Sequence, residues 1–163
     1  LPGEISVSNR QKRVAVDSGK IRRAARKILG ELGFEGHELS VVIVDDPEIT
    51  RLNRRYFRRN RATNVISFSM NAEQDAPVHF RILGDVVISA ETARRQAEEA
   101  GREGEEEILF LLIHGILHLA GYDHEGAVGE RRKMEDKERE LFTLLKNPSP
   151  GRRGPSHGKK KIP

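Results

Sequence analysis

No cysteine occurs anywhere in the 163 residues. A disulfide framework and a thiolate metal centre are both excluded, so any transition-metal site must be built from histidine and carboxylate. Long hydrophobic runs are missing as well. The longest, Ile108 to Ala120, is interrupted and too short to cross a bilayer, and the opening LPGEISV lacks the basic stretch and apolar core of a secretory signal. A soluble, cytoplasmic protein with no membrane partner is the expectation. The first residue is Leu rather than Met, which points to a missing leading segment or an alternative start. Acid is absent from the other end: from Lys146 to Pro163 there are six Lys or Arg and no Asp or Glu. The net charge of +4 is therefore a tail property, since residues 1–145 hold 23 basic against 25 acidic side chains. An end rich in Pro, Gly and Lys buries no apolar surface and is expected to be disordered, serving as a solubilising tail or as an arm for RNA. One domain over 1–145 and a basic tail over 146–163 is the organisation this suggests.

Local patterns predict an α+β domain: a small four-stranded mixed sheet packed with about five helices. EISVSN alternates as a strand. A helix follows from about Asp17 to Leu32, capped by Asp17 or Ser18 and stopped by Gly33. The β-branched run 39–46 reads as a buried strand, after which Asp46 caps a second helix with Pro47 at its first position and Ile49, Leu52 and Tyr56 turned inward. Strand-like runs at 64–70 and 83–90 precede helical stretches at roughly 91–100, 104–120 and 128–145.

Half of the six histidines fall between residues 114 and 124, in HGILHLAGYDH. The helix they close, EEEILFLLIHGILHLA, is acidic at its start, as suits the positive end of a helix dipole, and apolar on nearly every face afterwards, as suits the core. A buried imidazole needs a hydrogen-bond partner or a metal. His114 and His118 are four apart and share a face. Gly121 closes the helix by turning left-handed, and His124 folds back toward the same point. Two helical imidazoles, a glycine turn and a returning third imidazole, with a vacant fourth position, describe a catalytic zinc site. A zinc peptidase would carry a Glu base directly after the first histidine, and this chain has Gly115 there. His37, His79 and His157 lie in loop or tail contexts and are assigned no role.

HGILHLAGYDH resembles the signature of the YbeY family, bacterial single-strand-specific endoribonucleases and ribosomal RNA maturation factors. LNRRYFRRNRATNVISFSM (52–70) and LGDVVIS (83–89) are similar to two further family segments, so the resemblance covers about residues 3–145. It implies a zinc-dependent endoribonuclease binding one Zn2+ ion through His114, His118 and His124. The implied partners are single-stranded RNA, 16S rRNA and components of the small ribosomal subunit, in 3′-end maturation and ribosome quality control, with no DNA expected. One position departs from the family pattern: where relatives carry an Arg directly after the Tyr, this chain has Phe57. Arg58 and Arg59 come next, but a one-residue shift on a helix rotates a side chain by about 100°.

The residues support the same substrate independently. Arg51, Arg54, Arg55, Arg58, Arg59 and Arg61 form an acid-free cluster suited to a phosphodiester backbone. Phe57 or Tyr56 offers a stacking face for an unpaired base, although Tyr56 shares the apolar stripe and is expected to be packed. In the expected mechanism zinc at His114 polarises a phosphoryl oxygen or acidifies water, while Arg58 and Arg59, or Arg55, stabilise developing phosphate charge. Asp123, beside a ligand, and Asp85, the one acid within its apolar strand, are candidates for orienting an imidazole or contacting a partner. Two other readings stand beside this one: a zinc-binding ribosome assembly factor without catalysis, and a zinc metallopeptidase.

Overall fold

A computed structural model describes residues 3–70, 81–122 and 127–147. The elements run β1 (Ile5–Asn9), α1 (Ser18–Leu32), β2 (Glu38–Val44), α2 (Asp46–Phe57), β3 (Val65–Ser69), β4 (Ile82–Ser89), α3 (Ala90–Ala100), α4 (Gly104–Leu119) and α5 (Val128–Lys146). The expected α+β layout of five helices and a four-stranded mixed sheet is the one observed. Strand order is β1-β2-β4-β3. β1, β2 and β4 are mutually parallel, and β3 closes the edge antiparallel to β4 with Ile66 opposite Val87 and Phe68 opposite Asp85.

Alternation along the strands divides the core in two. Leu39, Val41, Ile43, Val86 and Ile88 face one side and join Ile28, Leu112, Ile113, Ile116, Met134 and Leu141 in the main core. Val87 and Ile66 face the other side, where they meet Ile49, Leu52 and Phe68 in a smaller core beneath α2. α4 is the central helix, packed against α1, α3, α5, β3 and β4. Four of its side chains (Leu112, Ile113, Ile116, Leu117) have no exposure at all, each a burial of about 1.5–3 kcal/mol. That burial fixes the rotation of α4 about its axis. The N-cap of α1 is Asp17, accepting from the Lys20 amide, and its stop is Gly33 with φ +82°.

Two local expectations are corrected. The N-cap of α2 is Asp45, whose side chain accepts from the Glu48 amide, and Asp46 lies inside the first turn. Its carboxylate is engaged elsewhere, accepting from Ser89 Oγ (2.7 Å), Thr92 Oγ1 (2.6 Å) and an Arg95 guanidinium N–H (2.8 Å). Tyr56 is 54% exposed rather than packed, because Ile49 and Asn53 take the buried side of α2 and the helix ends where its last turn overhangs the sheet edge. The tail from residue 148 onward lies outside the described residues.

Candidate metal centre and its basic wall

His114 and His118 leave α4 on the same side, one turn apart, with ring centroids 4.6 Å apart and their Nε2 atoms 3.1 Å apart. Both are half-buried at the floor of a cleft of about 410 Å³. His114 Nδ1 lies 2.6 Å from Glu138 Oε2. A carboxylate only accepts, so Nδ1 donates and the ring's lone pair is placed on Nε2, the atom that faces His118. Glu138 reaches the site from α5 and is itself buried.

Those donors fit a metal ion. Two nitrogens bound at 2.0–2.1 Å to one tetrahedral zinc stand roughly 3.3 Å apart, close to the observed separation. A carboxylate bonded to the remote ring nitrogen is also the usual support of a metal-binding histidine. Among the described residues no third histidine or carboxylate completes the group. His124 and Asp123 lie outside the described residues.

The glycine turn expected after α4 is present. Gly121 has φ +102°, and the amides of Gly121 and Tyr122 donate back to the carbonyls of His118 (3.1 Å) and Leu117 (3.0 Å). This is the two-bond closure in which glycine is favoured because a Cβ is strained at that φ. Gly115 has a different cause. A Cβ there would lie 2.7 Å from Val86 Cγ1, inside contact distance of the sheet, while the Gly115 carbonyl accepts from Ser67 Oγ at 2.9 Å. The helix rides so close to β4 that any side chain at 115 would crowd Val86, so a Glu of the kind a zinc peptidase uses there would have to displace the sheet side chains.

The wall opposite the histidines is the segment joining α2 to β3. Arg58 terminates α2 in the left-handed region (φ 58°), the only described residue other than glycine with positive φ. Its amide donates to the Arg54 carbonyl and the Arg59 amide to that of Asn53. Having made this reversal, the chain is held by buried Asn53, whose Nδ2 donates to the Arg61 carbonyl at 2.9 Å. Arg59 and Arg61 thereby line the cleft with His114 and His118. Arg58 makes the turn instead of lining the cleft. Arg51, Arg54 and Arg55 lie farther back along α2, with Arg54 donating to Asn60 Oδ1 and the Arg55 guanidinium 5.5 Å from the Tyr56 ring centroid. All six arginines are exposed, and among the described residues none is ion-paired.

Asp85 belongs to a different surface. It lines a groove on the opposite face of the sheet with Ser40, Val42, Tyr56, Phe68 and Val87, rather than the histidine cleft. Glu138, Asn53 and Ser67 are the site residues that sequence reasoning missed. A signal existed for Glu138: it is an acid on the buried Met134–Leu141 stripe of α5, where an apolar residue is the norm.

The chain matches the family model described as Endoribonuclease YbeY over residues 6–146. Similar proteins of that name include one from Geobacter sulfurreducens, 49% identical over 88% of this chain and 97% of that protein. Another, from Geobacter metallireducens, is 47% identical over 87% and 95%. A solution structure of a Thermotoga maritima protein superposes with a TM-score of 0.60 at 26% identity, covering 96% of this chain and 99% of that one.

Proposed function

The chain belongs to the YbeY endoribonuclease family, and from that premise we propose that it is a metal-dependent hydrolase of single-stranded RNA, acting on ribosomal RNA at the 3′ end of 16S rRNA. One observation carries the reading: two imidazoles with facing Nε2 atoms share a cleft with two exposed arginines that have no carboxylate partner among the described residues. His114 and His118, with His124 from the returning chain, would hold a zinc ion. When bound, such an ion supplies Lewis acidity toward a phosphoryl oxygen and lowers the pKa of water toward about 7.

The protein's own contribution is positioning. Glu138 fixes the tautomer and orientation of His114 through the bond to Nδ1. Arg59 and Arg61 present guanidinium groups on the facing wall, where they bind phosphate oxygens and stabilise charge that builds up on phosphorus-bound oxygen. Asn53 holds that wall in place by its bond to the Arg61 carbonyl. The crowding of position 115 by Val86 counts against a peptidase, whose base would stand there.

Metal analysis of the purified chain, paired with cleavage assays on single-stranded and duplex RNA, tests the proposal. Wild type is expected to hold one zinc per chain and cut the single strand, and His118→Ala, prepared identically, to lose both properties. Equal cutting by the two preparations would end the ribonuclease reading. Stoichiometric zinc without cutting would leave a ribosome assembly factor.

A further inference from the structure

Phe57, Tyr56 and Phe68 form an aromatic group at the sheet edge where the histidine cleft meets the open sheet face. Phe57 is 48% exposed and Tyr56 54%, high values for large aromatic side chains in a chain that has only eight Phe and Tyr together. The Phe57 ring lies roughly parallel to Phe68 (29° between planes, centroids 6.3 Å apart), and Tyr56 meets Phe68 edge-on at 5.1 Å. Phe68 is half-buried against the smaller core, so it braces the two exposed rings from behind. Phe57 also lines the histidine cleft, beside Arg59 and Arg61.

A ring backed by a neighbouring ring and exposed beside a cationic wall is what a nucleic-acid base requires: stacking on one face while phosphates meet arginine alongside. The charged side chains that line the cleft with Phe57 are Arg59 and Arg61, which favour a polyanion, whereas Glu48 and Asp85 line the separate groove that Tyr56 and Phe68 share. We propose that Phe57, braced by Phe68 and flanked by Tyr56, is a stacking platform for one unpaired base of the RNA strand, next to the histidine pair. The proposal deepens the RNA-cleaving reading and rests on it. Stacking of this kind needs a base already out of a duplex, so the platform contributes to preference for single strands.

The test is fluorescence anisotropy with the full, metal-loaded chain and two labelled 2′-O-methyl strands of equal length and charge, one oligoadenylate and one abasic, each checked for integrity afterwards. Phe57→Ala is expected to weaken oligoadenylate binding about tenfold, a typical effect of losing one stacked base. It should leave the abasic strand and the salt slope unchanged. Phe57→Tyr should bind as wild type does, and Phe57→Leu, bulky but without a π face, as Phe57→Ala does. Equal oligoadenylate affinity in wild type and Phe57→Leu overturns the platform, as does equal weakening toward both strands, which would mean that the arginine wall had moved. If Phe57→Ala does not fold, the Leu and Tyr variants decide between these outcomes. Failure of wild type to bind either strand would instead overturn the RNA reading beneath it.

Discussion

Gly115 shows how one residue's size limits what the site can become. Replacing a helical glycine by alanine ordinarily stabilises by up to about 1 kcal/mol. Here the added methyl would sit 2.7 Å from Val86, a β-branched side chain with little freedom to withdraw. Overpacking of that kind costs about 1–3 kcal/mol, so the steric loss outweighs the propensity gain. Gly115→Ala is expected to lower the urea midpoint, with net destabilisation of about 1 kcal/mol; a midpoint above wild type would mean the helix has slack against the sheet. The histidine spacing was legible in the sequence because i, i+4 periodicity is a local property of a helix. The cause of the glycine between them was not, since Val86 lies 29 positions earlier and meets it only through packing.

At the level of elements, α2 determines where the basic wall stands, and its N-terminal end is tied down by Asp46. Partial burial works to raise the Asp46 carboxyl, but hydrogen bonds from Thr92, Ser89 and Arg95, with the charge of Arg95, outweigh it and hold the pKa below the ordinary 3.8. A depressed native pKa means that the unfolded chain binds the proton first. The stabilisation is therefore complete above the unfolded value and is lost as pH falls below 3.8 through the native value. Denaturant titrations across that window should show a decline in wild type that is shallower in Asp46→Asn. At neutral pH the variant should be less stable by about 1.5–3 kcal/mol, the range for hydrogen bonds to a charged group. Pattern reading located α2 but misassigned its cap by one residue, because Asp45 and Asp46 are equivalent as local signals. Only the neighbouring Ser89, Thr92 and Arg95 distinguish them. The same limit explains Tyr56: periodicity places it on the stripe, but a stripe does not say where the covering surface ends.

For the molecule as a whole, the site joins helices that are distant in sequence. His114 on α4 is oriented by Glu138 on α5, and β3 holds α4 through the Ser67 bond to Gly115. Metal binding should accordingly stabilise the fold rather than only the cleft. At zinc one hundred times above Kd the gain is about 2.7 kcal/mol, seen as a rise in Tm that a chelator reverses. Glu138→Gln keeps a hydrogen-bond acceptor but removes the charge that would strengthen His114 as a donor to a metal ion. Its zinc affinity should fall about 10–100-fold, read by competition with a chromogenic chelator, and its Tm rise at equal zinc should shrink accordingly. Unchanged affinity would show that Glu138 is only a packing partner of the imidazole.

The sequence by itself determined what short range controls: the helices and strands, the caps at Asp17 and Gly33, the turn at Gly121, the cysteine-free donor set, the shared face of His114 and His118, and the family. Periodicity, backbone strain and residue chemistry act over a few positions, so they can be read without coordinates. Tertiary structure decided which arginines meet the histidines, which carboxylate fixes His114, and that Asp85 and the Phe57 shelf face the surfaces they do. These depend on how α4, α5 and the segment after α2 pack across the sheet, and no local pattern carries the distance between residues brought together only by a shared core.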